Sequence, residues 1–103
     1  MPDKKYTVIV SDKAASMLVN HVRFLANVSL EAAKKLHKEI ITEIRALEFM
    51  PESYPWLSCD EIPANKYRKK LAAKRYLLIY QIKDSTVYVD YVLDCRQDYK
   101  WLL

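Results

Sequence analysis

Between Lys66 and Lys83 the chain reads KYRKKLAAKRYLLIYQIK, which holds Lys66, Arg68, Lys69, Lys70, Lys74, Arg75 and Lys83 without one acid. Successive side chains of an extended strand point to opposite faces, so Arg68 and Lys70 share one face while Tyr67, Lys69 and Leu71 take the other. Two cations on one face can hold a phosphate oxygen or the carboxylate of an acidic protein segment. The plainer alternative is a solvated edge strand, because lysines blunt edge-to-edge pairing. Other chemistry-bearing residues form no pattern. His21 and His37 fall in separate helical stretches, and Cys59 and Cys95 have neither zinc-ligand spacing nor the numbers of a disulfide framework. No base beside either thiol marks a nucleophile, and nothing in the chain asks for a metal or a cofactor. Tyr76, Tyr80, Tyr88 and Tyr91 could stack bases, but their places in strands suit core packing better. Near the end, Arg96, Asp98 and Tyr99 read as an ion pair with an aromatic plug or as part of a functional ending. Trp101, Leu102 and Leu103 suit packing on the domain or contact with a partner.

The elements that must position these residues are bounded by composition. A chain of 103 residues, 51% hydrophobic, is one domain spanning residues 1–103 with a single core. Its 0 glycines exclude phosphate-cradling glycine loops and argue against turns that need positive φ. The net charge of +4 is uneven: Glu52, Asp60 and Glu61 make the segment 51–65 acidic, and the excess of bases follows it. A local basic field suits an anionic partner, nucleic acid or acidic protein. The opening MPDKKYTVIV lacks the apolar core of a signal peptide, and no run approaches the roughly 20 apolar residues of a membrane span. A cytoplasmic protein with no membrane partner is expected.

Tyr6–Val10 is a β-branched strand, and Ser11 is placed to cap a helix whose Ala14, Leu18, Val22 and Leu25 recur on one face. Ser29 opens a second helix, with Glu31 in the first turn and Ala33, Leu36, Ile40, Ile44 and Leu47 on its apolar face. The short break between them predicts an antiparallel hairpin, and Pro51 bounds the second helix. A proline-punctuated loop, 51–65, leads to three strands near 67–72, 76–83 and 87–94, the last two joined by a tight turn at Asp84-Ser85. RYLLIYQI is apolar almost throughout, as a central strand covered on both faces would be. In the last strand, alternation puts Val87, Val89, Tyr91 and Leu93 on one face and Tyr88, Asp90, Val92 and Asp94 on the other. The expected fold is α+β: an N-terminal edge strand and a helical hairpin packed on one face of a mainly antiparallel four-stranded sheet, the opposite face left available.

In order and spacing, three pieces together resemble the RelE/ParE superfamily of bacterial toxin–antitoxin toxins. They are VIVSDKAASMLVNHVRFLA, SLEAAKKLHKEIITEIRALEFMPESYP and YRKKLAAKRYLLIYQIKDSTVYVDYVLDCRQDY. The resemblance implies a growth-inhibiting toxin of a type II pair, neutralised by a cognate antitoxin that wraps part of its surface, with promoter DNA reached only through that antitoxin. RelE-like members cut messenger RNA in the ribosomal A site, metal-free; ParE-like members inhibit DNA gyrase.

If the chain is RelE-like, the resemblance assigns the catalytic set to Arg68, Lys70, Arg96 and Tyr99. It also implies an arginine directly after the tyrosine of the central strand, where this chain has Tyr76 followed by Leu77; Arg75 precedes the tyrosine instead. The nuclease branch related to YoeB places a histidine before a terminal tyrosine, whereas here Asp98 precedes Tyr99 and the chain continues through KWLL. Leu77, Arg75 and Asp98 favour a ParE-like protein that acts by binding. Its target- or antitoxin-binding residues are then expected among Lys66, Arg68, Lys70, Lys74, Arg75, Leu77, Arg96 and Trp101. A degenerate toxin that keeps only antitoxin binding is the third reading.

Overall fold

The computed structural model describes residues 5–58 and 63–95. Strand β1 (Thr7–Val10) is followed by helices α1 (Asp12–Ala26) and α2 (Leu30–Ala46), a single 3-10 turn at Pro51–Ser53, and strands β2 (Arg68–Ala72), β3 (Tyr76–Lys83) and β4 (Thr86–Asp94). Both serine caps form as expected. The Ser11 hydroxyl oxygen accepts from the Ala14 amide at 3.0 Å and that of Ser29 accepts from the Ala32 amide at 3.1 Å, each satisfying an amide with no partner inside its helix.

The sheet order is β1-β4-β3-β2, so β1 is an edge and β3 is interior. β2–β3 and β3–β4 are antiparallel, while β1 runs parallel to β4, with Thr7 opposite Thr86 and Val10 opposite Val89. The sheet is therefore mixed, because a chain returning through a helical hairpin can lay its last strand beside its first in the same direction. On one face, Leu18, Leu36, Ile40, Ile44 and Leu47 of the helical layer pack against Tyr76, Leu78, Tyr80, Val87, Val89 and Val92. The other face is not bare. Leu57 buries there with Ile79 and Leu93, flanked by Tyr67, Leu77 and Tyr91.

Two expectations are corrected. The alternation of β4 breaks at Asp90: Ile79 pairs with Tyr91 and Tyr80 with Val89, which leaves Asp90 as an extra residue in a β-bulge. Downstream of it the parity inverts, so Val92 joins Val87 and Val89 under the helices while Tyr91 and Leu93 cross to the opposite face. Nor does the lack of glycine prevent positive φ, which Met50 (51°), Asn65 (60°), Ala73 (50°), Lys74 (70°) and Asp84 (56°) all adopt. Asn and Asp tolerate this region through their short polar side chains. Met50, Ala73 and Lys74 do not, and each costs roughly 1–2 kcal/mol that surrounding contacts must offset.

Candidate functional site

Arg68 and Lys70 do share a face, and that face is the one beneath the helices. The Arg68 guanidinium donates through Nη1 to the carbonyls of Glu52 (3.0 Å) and Tyr54 (2.6 Å) and lies 3.8 Å from the Trp56 ring centroid. Lys70 is only 5% exposed. Its ammonium donates to the Glu43 carbonyl at 3.1 Å, sits 3.7 Å from the Glu43 carboxylate and 5.0 Å from the Tyr54 ring centroid. That carbonyl belongs to the last turn of α2. The Leu47 amide, tightening into a 3-10 turn, bonds Ile44 instead and leaves Glu43 for the lysine. A cation at the negative end of the helix is favourable there. Lys70 thus closes α2, and Arg68 ties down the segment 51–57.

The same segment is anchored from three further directions. The buried Tyr80 hydroxyl donates to the Pro51 carbonyl at 2.6 Å, and the Tyr6 hydroxyl donates to the Glu52 carboxylate at 2.6 Å. Residues 55–57 also run beside β2, with the Leu57 amide bonded to the Tyr67 carbonyl and the Lys69 amide to that of Pro55. Burial pushes the Tyr80 phenol far above its ordinary value, with the Arg68 charge only partly opposing it. A phenol so held moves no protons near neutrality.

Leu77 lies on the other face. The β2–β3 register sets Leu71 opposite Leu77, Lys70 opposite Leu78 and Arg68 opposite Tyr80. Position 77 therefore belongs with Lys69 and Leu71, and Leu77 is half-buried against the Leu57, Ile79 and Leu93 cluster. On this face Asp90 accepts from the Gln81 side-chain amide at 2.7 Å, and its carboxylate lies near the Tyr67 hydroxyl. Burial, and then the Asp90 charge, raise the Tyr67 pKa. Tyr67 meets Tyr91 edge-on at 6.2 Å, Lys13 lies 4.8 Å from the Tyr91 ring centroid, and the exposed Lys66 sits 5.3 Å from that of Tyr67. The remaining bases, Lys74 and Arg75, are exposed on the β2–β3 turn. Arg96, Tyr99 and Trp101 lie outside the described residues.

A family model described as the ParE toxin of a type II toxin–antitoxin system, parDE, matches residues 8–99. The chain belongs to this family. In fold it is similar to a chain from the chromosomal ParDE toxin–antitoxin system of P. aeruginosa, with a TM-score of 0.72 at 14% identity over 88% of this chain and 97% of that one. At that identity the likeness is one of fold. A comparison with curated proteins finds no match.

This ParE-family chain brings Arg68 and Lys70 together, sets Leu77 behind them through the sheet, and groups Lys74 and Arg75 with residues the sequence reading passed over. Phe24 and Val28 face that turn across a groove and are strongly exposed. The signal for them was present in the sequence: Phe24 is a large apolar residue off the buried face of the first helix, and Val28 is an apolar residue in the short break between the two helices. Among the described residues no group of His, Cys, Asp and Glu could hold a metal ion, and no helix is long and apolar enough to cross a membrane. Cys95 is exposed, yet its thiol pKa is raised, first by partial burial and then by the Asp94 carboxylate, both opposing the thiolate. In a Cys59→Ser background its iodoacetamide alkylation is expected to be slow at neutral pH and to rise with pH around a midpoint above the ordinary thiol value of about 8.5. A midpoint below that value would show an activated thiol instead.

Proposed function

We propose that this ParE-family chain is the growth-inhibiting member of a toxin–antitoxin pair, neutralised by a cognate antitoxin, and that it acts in the cytoplasm by binding DNA gyrase rather than by cutting RNA. One observation carries the choice: the position where a RelE-like nuclease needs arginine is Leu77, and the register puts it on the face opposite Arg68 and Lys70. Metal-free cleavage needs a general base, a general acid and cations that converge on one scissile phosphate. Here the two cations that match a phosphate clamp are held by carbonyls of their own chain. A protein that binds needs no such convergence.

Induction in cells with paired readouts tests this. Filamentation and SOS induction with intact messages are expected, and the purified toxin should inhibit supercoiling by gyrase. Rapid loss of translation with A-site cleavage would sink the gyrase reading in favour of the nuclease. Unaffected growth with abundant folded toxin free of antitoxin would leave a degenerate toxin.

A further inference from the structure

At the tip of the helical hairpin the chain exposes apolar side chains that its core does not use. Phe24 is 72% exposed and Val28 is 80% exposed. They form one wall of a groove of about 420 Å³, with Leu25 and Leu36 also lining it. The other wall is the β2–β3 turn, and Lys35, Lys74 and Arg75 stand at the groove with Glu39 as its one acid. Glu39 lies 3.9 Å from Lys35. Among the described residues, no ion pair or side-chain hydrogen bond holds Lys74 or Arg75. The turn that presents them is strained, because Ala73 and Lys74 both adopt left-handed φ without being glycine. Backbone strain of this kind persists where surrounding structure enforces it, and it concentrates at sites that bind.

We propose that this groove docks a segment of the toxin's protein target that carries one or two large apolar side chains flanked by carboxylates. The apolar side chains seat against Phe24 and Val28, and the carboxylates meet Lys74 and Arg75. This rests on the reading that the toxin acts by binding a protein. The charge selects an acidic segment, and the size selects the target over the antitoxin. A groove of about 420 Å³ accepts only a few side chains. A permanent neutralising partner needs an interface on the order of 1,600 Å². A small apolar anchor with a basic rim instead suits an encounter that is steered by charge and centred on a hot spot.

The test uses the full chain in two variants, Phe24→Ser with Val28→Ser, and Lys74→Asn with Arg75→Gln. The first pair is exposed, so folding should persist, and asparagine tolerates the φ of residue 74. Thermal melts confirm the fold of each. Affinities for purified gyrase holoenzyme and for the antitoxin are measured at low and moderate salt, beside growth arrest on induction. The apolar variant is expected to bind gyrase about tenfold more weakly or worse, with antitoxin affinity changed by less than about twofold. The charge variant should lose most of the salt dependence of gyrase binding. Gyrase affinity unchanged in both variants would overturn the proposal, as would antitoxin affinity that falls while gyrase affinity holds. If the wild type arrests growth without binding gyrase, the gyrase reading fails, and growth arrest judges the groove. Folded variants that arrest growth as the wild type does would then overturn it, and variants that fail to arrest would support it with another target. A wild type that neither binds gyrase nor arrests growth would overturn both.

Discussion

Lys70→Ala is expected to lower stability by about 2–4 kcal/mol, a loss that combines a deleted buried stem with an orphaned helix carbonyl. The side chain is 5% exposed, so its methylenes fill space between β2 and α2 that alanine leaves empty. Its ammonium is the partner of the Glu43 carbonyl, which has no intrahelical bond because Leu47 bonds Ile44. The Glu43 carboxylate lies nearer solvent, and the ion pair itself adds little. For a domain of this length the melting temperature should fall on the order of 10–30 °C. Lys70→Met keeps the stem and should restore more than half of the loss, which separates packing from the hydrogen bond.

Adding Arg68→Ala removes two of the bonds that hold the segment 51–57 to β2. The two effects should not add, because Lys70 packs on Tyr54, whose carbonyl Arg68 holds. Toxicity lost in the double variant must therefore be read beside its melting curve. A wild-type melting temperature in Lys70→Ala would show that the lysine does not hold the fold.

Deletion of Tyr88 is expected to abolish cooperative folding, whereas deletion of Asp90 and Asp90→Ala should each leave the fold intact at a cost of about 1–3 kcal/mol. Asp90 is the extra residue of the bulge, so removing it lets Tyr91 follow Val89 in regular alternation with every face kept. Removing Tyr88 also closes the bulge, but it sets Asp90 opposite Tyr80 under the helices in the place of Val89 and turns Val89 to the opposite face. Alanine keeps the chain length and loses only the Gln81 bond and the charge beside Tyr67. Far-UV circular dichroism and urea titration distinguish the two outcomes. A Tyr88 deletion that unfolds with the wild-type midpoint would mean that β4 finds its register by other contacts.

Much of the fold was legible because its signals are local. Helical periodicity named Ala14, Leu18, Ala33, Leu36, Ile40 and Ile44, all of which are buried. Ser11 and Ser29 were readable as caps because capping joins residues three apart. The bulge was not legible, since an alternating run gives no sign that one residue is to be left unpaired. Lys70 was read as a surface charge for a sound reason, as lysine is rarely buried without a partner. Its partner, the Glu43 carbonyl, lies 27 positions away, where no spacing rule reaches.

The candidate site divides along the same line. The amino-acid order by itself determined that Arg68 and Lys70 share a face and that Leu77 stands where the nuclease needs arginine, because strand parity and residue identity are properties of the chain. Only the tertiary structure decided which face that is. The helices bury their apolar stripes against one side of the sheet, and the β2–β3 register carries Arg68 and Lys70 to that side and Leu77 to the other. The same packing spends the two cations on holding the segment 51–57 and closing α2, and leaves Lys74 and Arg75 as the bases that face solvent beside an apolar groove. Parity is local, but a face acquires its environment from the elements that cover it, and those come from distant parts of the chain.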